Sequence, residues 1–127
     1  MKALNSKASS AIVAVSDIDR ARRFYGETLG LDLLDDKMDG VLVYQTGATR
    51  LTVYLSGFAG TNKANAVVWD CGSDVDPIVS YLAAKGVTFE RYEMEGVSFA
   101  GGIHRAGDLK MVWFKDPDGN ILHLNGR

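Results

Sequence analysis

One cysteine, two prolines and two histidines are all that this 127-residue chain contains of those types. A lone Cys71 cannot close a disulfide within the chain, and a cysteine-built zinc site is excluded with it. Long apolar runs are missing too. The opening MKALNSKASS lacks the apolar stretch of a signal peptide, and no segment approaches a bilayer-spanning length. A cytoplasmic protein without a membrane partner is therefore expected. Net charge is only -2 and the basic residues are scattered, so no basic face marks nucleic acid as a partner. No glycine-rich phosphate loop, nucleophile elbow or Cys-His pair occurs.

What is present suits one compact domain over residues 1–127. The composition is 46% hydrophobic and 24% charged, ordinary globular values. A chain of this length buries about two-thirds of its unfolded surface, enough to fold without a metal or a disulfide.

The organising signal is a repeat. Ser16-Asp17-Ile18-Asp19 and Ser73-Asp74-Val75-Asp76 both place a carboxylate three residues after a hydroxyl. That is the form of a capping box, which satisfies free N–H groups at a helix start. One-faced apolar patterns follow, through Phe24 and Tyr25 in the first copy and through Ile78, Val79 and Leu82 in the second. Gly30 and Gly86 stand where a left-handed helix end would fall. Strand-like runs surround each helix: 11–15, 31–34, 41–45 and 51–55 in one half, then 66–71, 87–92, 110–115 and 121–125 in the other. Asp116-Pro117-Asp118-Gly119 is a turn, with Pro117 presetting φ and Gly119 accepting a positive one. The pattern is β-α-β-β-β twice, with modules at 8–58 and 64–127. The competing ferredoxin-like fold leaves too many strands unused.

Two end motifs carry a resemblance. Val15 to Tyr25 followed by Leu29-Gly30-Leu31 resembles the opening of glyoxalase/bleomycin-resistance/dioxygenase proteins, the vicinal oxygen chelate superfamily. Trp113 to Leu122 resembles their closing strand and turn, and the middle is similar to a subgroup of the same superfamily. The resemblance implies an α+β fold. Two βαβββ modules would form a curved mixed sheet, with helices on its outer face and a concave cavity within. It also implies a divalent metal held by four inward His, Gln or Glu side chains.

Carried over by position, those four places are Ser10, then Thr52 or Tyr54, then Ala66 (or Asn65, if Gly72 is an insertion), and His123. Only His123 is a strong donor, and about three or four are needed. No metal and no other cofactor is therefore expected. The expected ligand-binding set is Ser10, Thr52, Tyr54, Ala66, Asp70, Trp113 and His123, the last offering a hydrogen bond or a proton. Asp70 would meet a cationic ligand or pair with Arg50. Tyr44 and Met111 could join the aromatic lining, although core packing is the commoner fate of such residues. Trp69 would pack beneath the second helix with Val67, and Cys71 is a small buried apolar residue. His104 lies in the glycine-rich stretch 96–107 and reads as a solvated loop residue, or with Arg105 as part of a lid. Glu90, Glu93 and Glu95 read as a solvated edge strand.

These readings lead to a homodimeric, metal-free protein that binds a small organic molecule, aromatic or cationic, in its cavity. The alternative is an enzyme of lyase, isomerase or dioxygenase type. It would use His123 as acid/base or within an atypical metal site.

Overall fold

The computed structural model describes residues 3–127. Two mixed sheets form, one from each half. The first has strand order β1-β4-β3-β2 and is built from β1 (Ala11–Val15), β2 (Leu33–Asp35), β3 (Val41–Thr46) and β4 (Thr49–Leu55). The second has order β5-β9-β8-β7-β6. Its strands are β5 (Asn65–Asp70), β6 (Ser98–Ala100), β7 (Ile103–Ala106), β8 (Leu109–Lys115) and β9 (Ile121–Gly126). In each sheet the strand before the helix pairs parallel with the last strand, β1 with β4 and β5 with β9. The other pairings are antiparallel. β1 and β5 lie beside each other, so the two sheets meet at these edge strands in the middle of the molecule.

Alternation decides which face is covered. Val13, Leu42, Tyr44, Leu51 and Val53 in the first sheet share a face with Tyr25 of the first helix and are buried. Val67, Val112, Phe114, Leu122 and Leu124 do the same beneath the second helix. Burying each large side chain is worth roughly 1.5–3 kcal/mol, so this single merged cluster accounts for much of the fold's stability. Tyr44 belongs to it, and its hydroxyl is buried with no partner among the described residues. Core packing, not a pocket, is its role.

The helices depart from the capping-box expectation. α1 (Ile18–Ala21) is capped by Asp17, whose carboxylate accepts from the Arg20 N–H at 2.9 Å, and it runs straight into a π-helical segment, Arg22–Thr28. The Ser16 hydroxyl is unavailable because Asp118 takes it. α2 (Val75–Ala84) begins after Asp74 with no side-chain cap, since Asp76 is drawn instead to Arg105 and Lys110. Gly30 and Gly86 do adopt positive φ after the helices, +73° and +89°.

The second half differs most from expectation between 87 and 107. The strand expected over 87–92 reduces to one bridge, Phe89 with Phe114. Glu90 and Glu93 are not on an edge strand; they pair with Lys115 and Arg91. The glycine-rich stretch is instead the β6–β7 hairpin, turning on Gly101-Gly102 with φ of +60° and +84°. Two adjacent positive φ angles match the right-handed twist of the flanking strands, and only glycine supplies both without strain.

Candidate functional site

The face opposite the helices is the concave one. In the first sheet it carries Ile12, Ala14, Thr52 and Tyr54, because Thr52 stands beside Ile12 and Tyr54 beside Ala14. Ser10 lies just before β1 and is exposed. In the second sheet Val68 stands beside His123 and Asp70 beside Asn125, and Trp113 faces His123 from β8. The expected residues thus divide between two sheets. No side-chain hydrogen bond or ring contact joins Ser10, Thr52 or Tyr54 to Trp113 or His123 among the described residues.

Ala66 does not take the position expected of it. A bulge between Asn65 and Val67 sets Asn65 opposite Ile121, while Ala66 packs against the core. Of the two positions open in the sequence, Asn65 is the one on the concave face. Asp70 is also placed differently, for it has no bond to Arg50 and its Oδ1 accepts from the Gly72 N–H at 3.1 Å.

The second sheet gathers a cluster of rings. Trp113 and His123 stack with centroids 4.6 Å apart and planes 21° from parallel. His104 meets Trp113 edge-on at 4.9 Å and Phe99 at 4.7 Å, and Tyr92 closes on Trp113 at 5.2 Å. His104 is therefore neither a solvated loop residue nor part of a lid. It sits on β7, fully buried, because the hairpin turns it onto the same face as Met111. Arg105, the next residue, points to the opposite face and bonds Asp76 at 3.1 Å.

Both imidazoles are held in one tautomer by backbone groups. His104 accepts the Tyr92 N–H at Nε2, 3.0 Å, so its Nδ1 donates to the Met111 carbonyl. His123 donates from Nδ1 to the Val112 carbonyl at 2.9 Å, leaving Nε2 to accept from the Asn125 amide at 3.3 Å. Burial pushes the His123 pKa below its ordinary value, against the opposing pull of the Val112 carbonyl. The ring is neutral near pH 7, and its Nε2 lone pair is engaged by Asn125 on the concave face. Asn125 escaped the sequence reading, although its spacing of two from His123 on a strand places both on one face. The partnership of Tyr92 with His104 had no signal, since it depends on a hairpin that brings residue 104 back beside residue 92.

A polar knot ties the two halves together behind this face. The Asp116 carboxylate accepts from the Tyr25 hydroxyl, the Asn120 amide and the Asp118 and Asn120 N–H groups, all between 2.7 and 3.0 Å. Asn120 donates again to the Ala14 carbonyl at 2.8 Å. Asp118 takes both the hydroxyl and the N–H of Ser16 and the Arg20 guanidinium. Burial raises the Asp118 carboxyl, but those donors outweigh it and hold its pKa below the usual range.

With this geometry in view, the sequence matches the family model of the glyoxalase/bleomycin resistance protein/dioxygenase superfamily over residues 7–124. The chain belongs to that superfamily. Its fold is similar to a glyoxalase/bleomycin resistance protein from Catenulispora acidiphila DSM 44928, at 22% identity and TM-score 0.74, covering 96% of this chain and 99% of that one. A glyoxalase family protein from Enterococcus faecalis matches at 19% identity and TM-score 0.70, over 96% and 98% of the two chains. The fosfomycin resistance protein FosX from Listeria monocytogenes matches at 12% and 0.66, over 96% and 91%. At such identities the likeness concerns the fold. No protein of curated function matches the sequence.

The superfamily's metal does not fit the residues present. Among the described residues no three His, Cys, Asp or Glu side chains converge. Ser10 and Thr52 are weak donors, Ala66 is none, and the one free nitrogen of His123 already accepts from Asn125. No helix of the described residues is long and apolar enough to cross a membrane.

Proposed function

We propose that this superfamily member binds a small, flat organic molecule on its concave face without a metal, and that a second copy closes the site. The supporting observation is the Trp113–His123 stack, which offers an aromatic platform edged by the Asn125 amide bonded to His123 Nε2. Apolar walls with a few polar groups are what ligand sites require. Ile12 and Val68 flank it on β1 and β5 and are 61% and 59% exposed, although both are mid-strand aliphatics. Such residues on the inner face of a sheet call for a cover, and a homodimer supplies one. Thr52 and Tyr54 then serve as further contacts, with Ser10 at the edge, whereas Asp70, at the end of β5, lines a cavity on the helical side.

A second reading, an enzyme in which His123 is the base, is favoured by the neutral imidazole, whose Nε2 would exchange the Asn125 amide for a substrate proton. One experiment addresses the main reading. Elemental analysis and a thermal-shift screen of aromatic compounds are run on untagged protein and on His123→Ala. Binding is expected without stoichiometric metal, and His123→Ala should weaken it. One tightly held zinc, manganese, nickel or iron per chain would sink the metal-free reading.

A further inference from the structure

A substantial cavity of the described chain lies away from the concave face. It is an open cleft on the helical side, where the end of the first helix meets α2, with a volume of about 640 Å³. Leu82, Phe114 and Leu124 form its floor and are all nearly fully buried. Leu29 and Leu31 wall it from the first half of the chain, and Trp69 of β5 walls it from the second. Tyr81 stands at the rim, 47% exposed, with its hydroxyl against Gly30. This volume falls in the range that holds a drug-sized molecule, about 300–1,000 Å³.

Its charge is one-sided. Asp70 and Asp74 both line it. Asp74 makes no capping bond to α2, and Asp70 accepts only the Gly72 N–H. Neither enters an ion pair among the described residues. Both lie close enough to Cys71, another lining residue, to push its thiol pKa up beyond the effect of burial. Lys85 places its ammonium 5.6 Å from the Tyr81 ring centre and lines a different depression, with Phe24 and Thr28. The Tyr81 ring already takes a cation on its face, as electron-rich rings do. Apolar walls, three aromatic rings and two unpaired carboxylates are complementary to one ligand class.

We propose that this inter-module cavity is a second binding site, separate from the concave face, for an apolar organic cation such as an arylalkylamine. The apolar body would lie over Phe114 and Leu82 between Trp69 and Tyr81. The ammonium would stay at the mouth between Asp70 and Asp74, where water still solvates it. Neither carboxylate then loses hydration without compensation.

The two tryptophans make the site separable from the concave one, because Trp69 lines this cavity and Trp113 the other face. The full chain is prepared as Trp113→Phe, leaving Trp69 as emitter, and as Trp69→Phe, leaving Trp113. Each is titrated with 4-phenylbutylamine, with neutral 4-phenylbutan-1-ol and with anionic 5-phenylpentanoate, exciting tryptophan alone. Saturable quenching in Trp113→Phe is expected, with the amine binding about fivefold or more tighter than the alcohol. Adding Asp70→Asn and Asp74→Asn should remove that preference and leave alcohol binding unchanged. Quenching only in Trp69→Phe would overturn the proposal, since the ligand would then sit on the concave face. Tightest binding of the anion would also overturn it, by giving the site to the N–H groups at the start of α2. Light scattering supplies the remaining outcome. If Tyr81→Glu turns a dimer into a monomer, the cavity is an interface between copies and the proposal fails.

Discussion

The Tyr25 hydroxyl donates to Asp116 Oδ2 at 2.7 Å, joining the first helix to the β8–β9 turn across 91 residues of chain. Tyr25 is fully buried and Asp116 nearly so. Burial, reinforced by Asp116, drives the tyrosine pKa far upward, so the hydroxyl stays a donor. Removing that donor leaves a buried carboxylate one partner short. Tyr25→Phe should cost about 1–3 kcal/mol, read by urea denaturation. A loss under about 0.5 kcal/mol, the scatter of an ordinary surface substitution, would show that the bond is idle.

His104 and His123 should separate in their mutant behaviour. His104→Ala opens a hole among three rings and orphans the Tyr92 N–H. It should destabilise by about 2–4 kcal/mol. His123→Ala should cost visibly less, because one edge of the ring meets the open face. Equal losses in thermal unfolding would count against this division of roles.

The pH dependence follows from two groups of opposite sign. His123 has a folded pKa below its ordinary value, so the unfolded chain binds more protons near about pH 6.5. Its contribution is full above that pH and is lost as pH falls through it. Asp118 also has a lowered pKa, so its contribution holds above about pH 4–5 and is lost in more acidic solution. Urea midpoints at pH 7.5 and 5.5 should drop more for wild type than for His123→Gln. An identical drop would remove His123 from the account.

The hairpin offers a matched pair of tests. Gly101 and Gly102 both have positive φ, but a Cβ at Gly101 meets nothing within 4 Å, whereas one at Gly102 would sit 2.8 Å from the Phe89 ring. Gly101→Ala should cost about 1 kcal/mol from backbone strain alone. Gly102→Ala should cost clearly more. Similar melting temperatures for the two variants would argue that Phe89 moves aside freely.

Ile12→Glu tests the cover over the concave face. The substitution places a charge on an exposed mid-strand position and should leave the fold intact while abolishing self-association. Light scattering of the two proteins at micromolar concentration is the measurement. An unchanged mass would mean that the concave face is not what a second copy covers.

Much of this protein was determined locally, and so was legible along the chain. Helix positions, the glycines after them, the strand faces of Thr52, Tyr54, Trp113 and His123, and the seat of Trp69 follow from periods of 3.6 and 2. The superfamily itself was legible in the two end motifs, because a helix start and an Asp-Pro-Asp-Gly turn are local chemistry. Tertiary structure decided the rest wherever a residue had competing partners. Ser16 could cap its own helix or bind Asp118 and does the latter; Asp76 could complete a capping box but meets Arg105 and Lys110. One bulged residue put Asn65 rather than Ala66 on the concave face, since a strand's faces alternate and a single extra residue reverses them. A two-glycine turn carried His104 out of an apparent loop into the ring cluster beside Trp113. That placement depends on which strands pair, a choice made by burial across the whole sheet and not by the residues next to it.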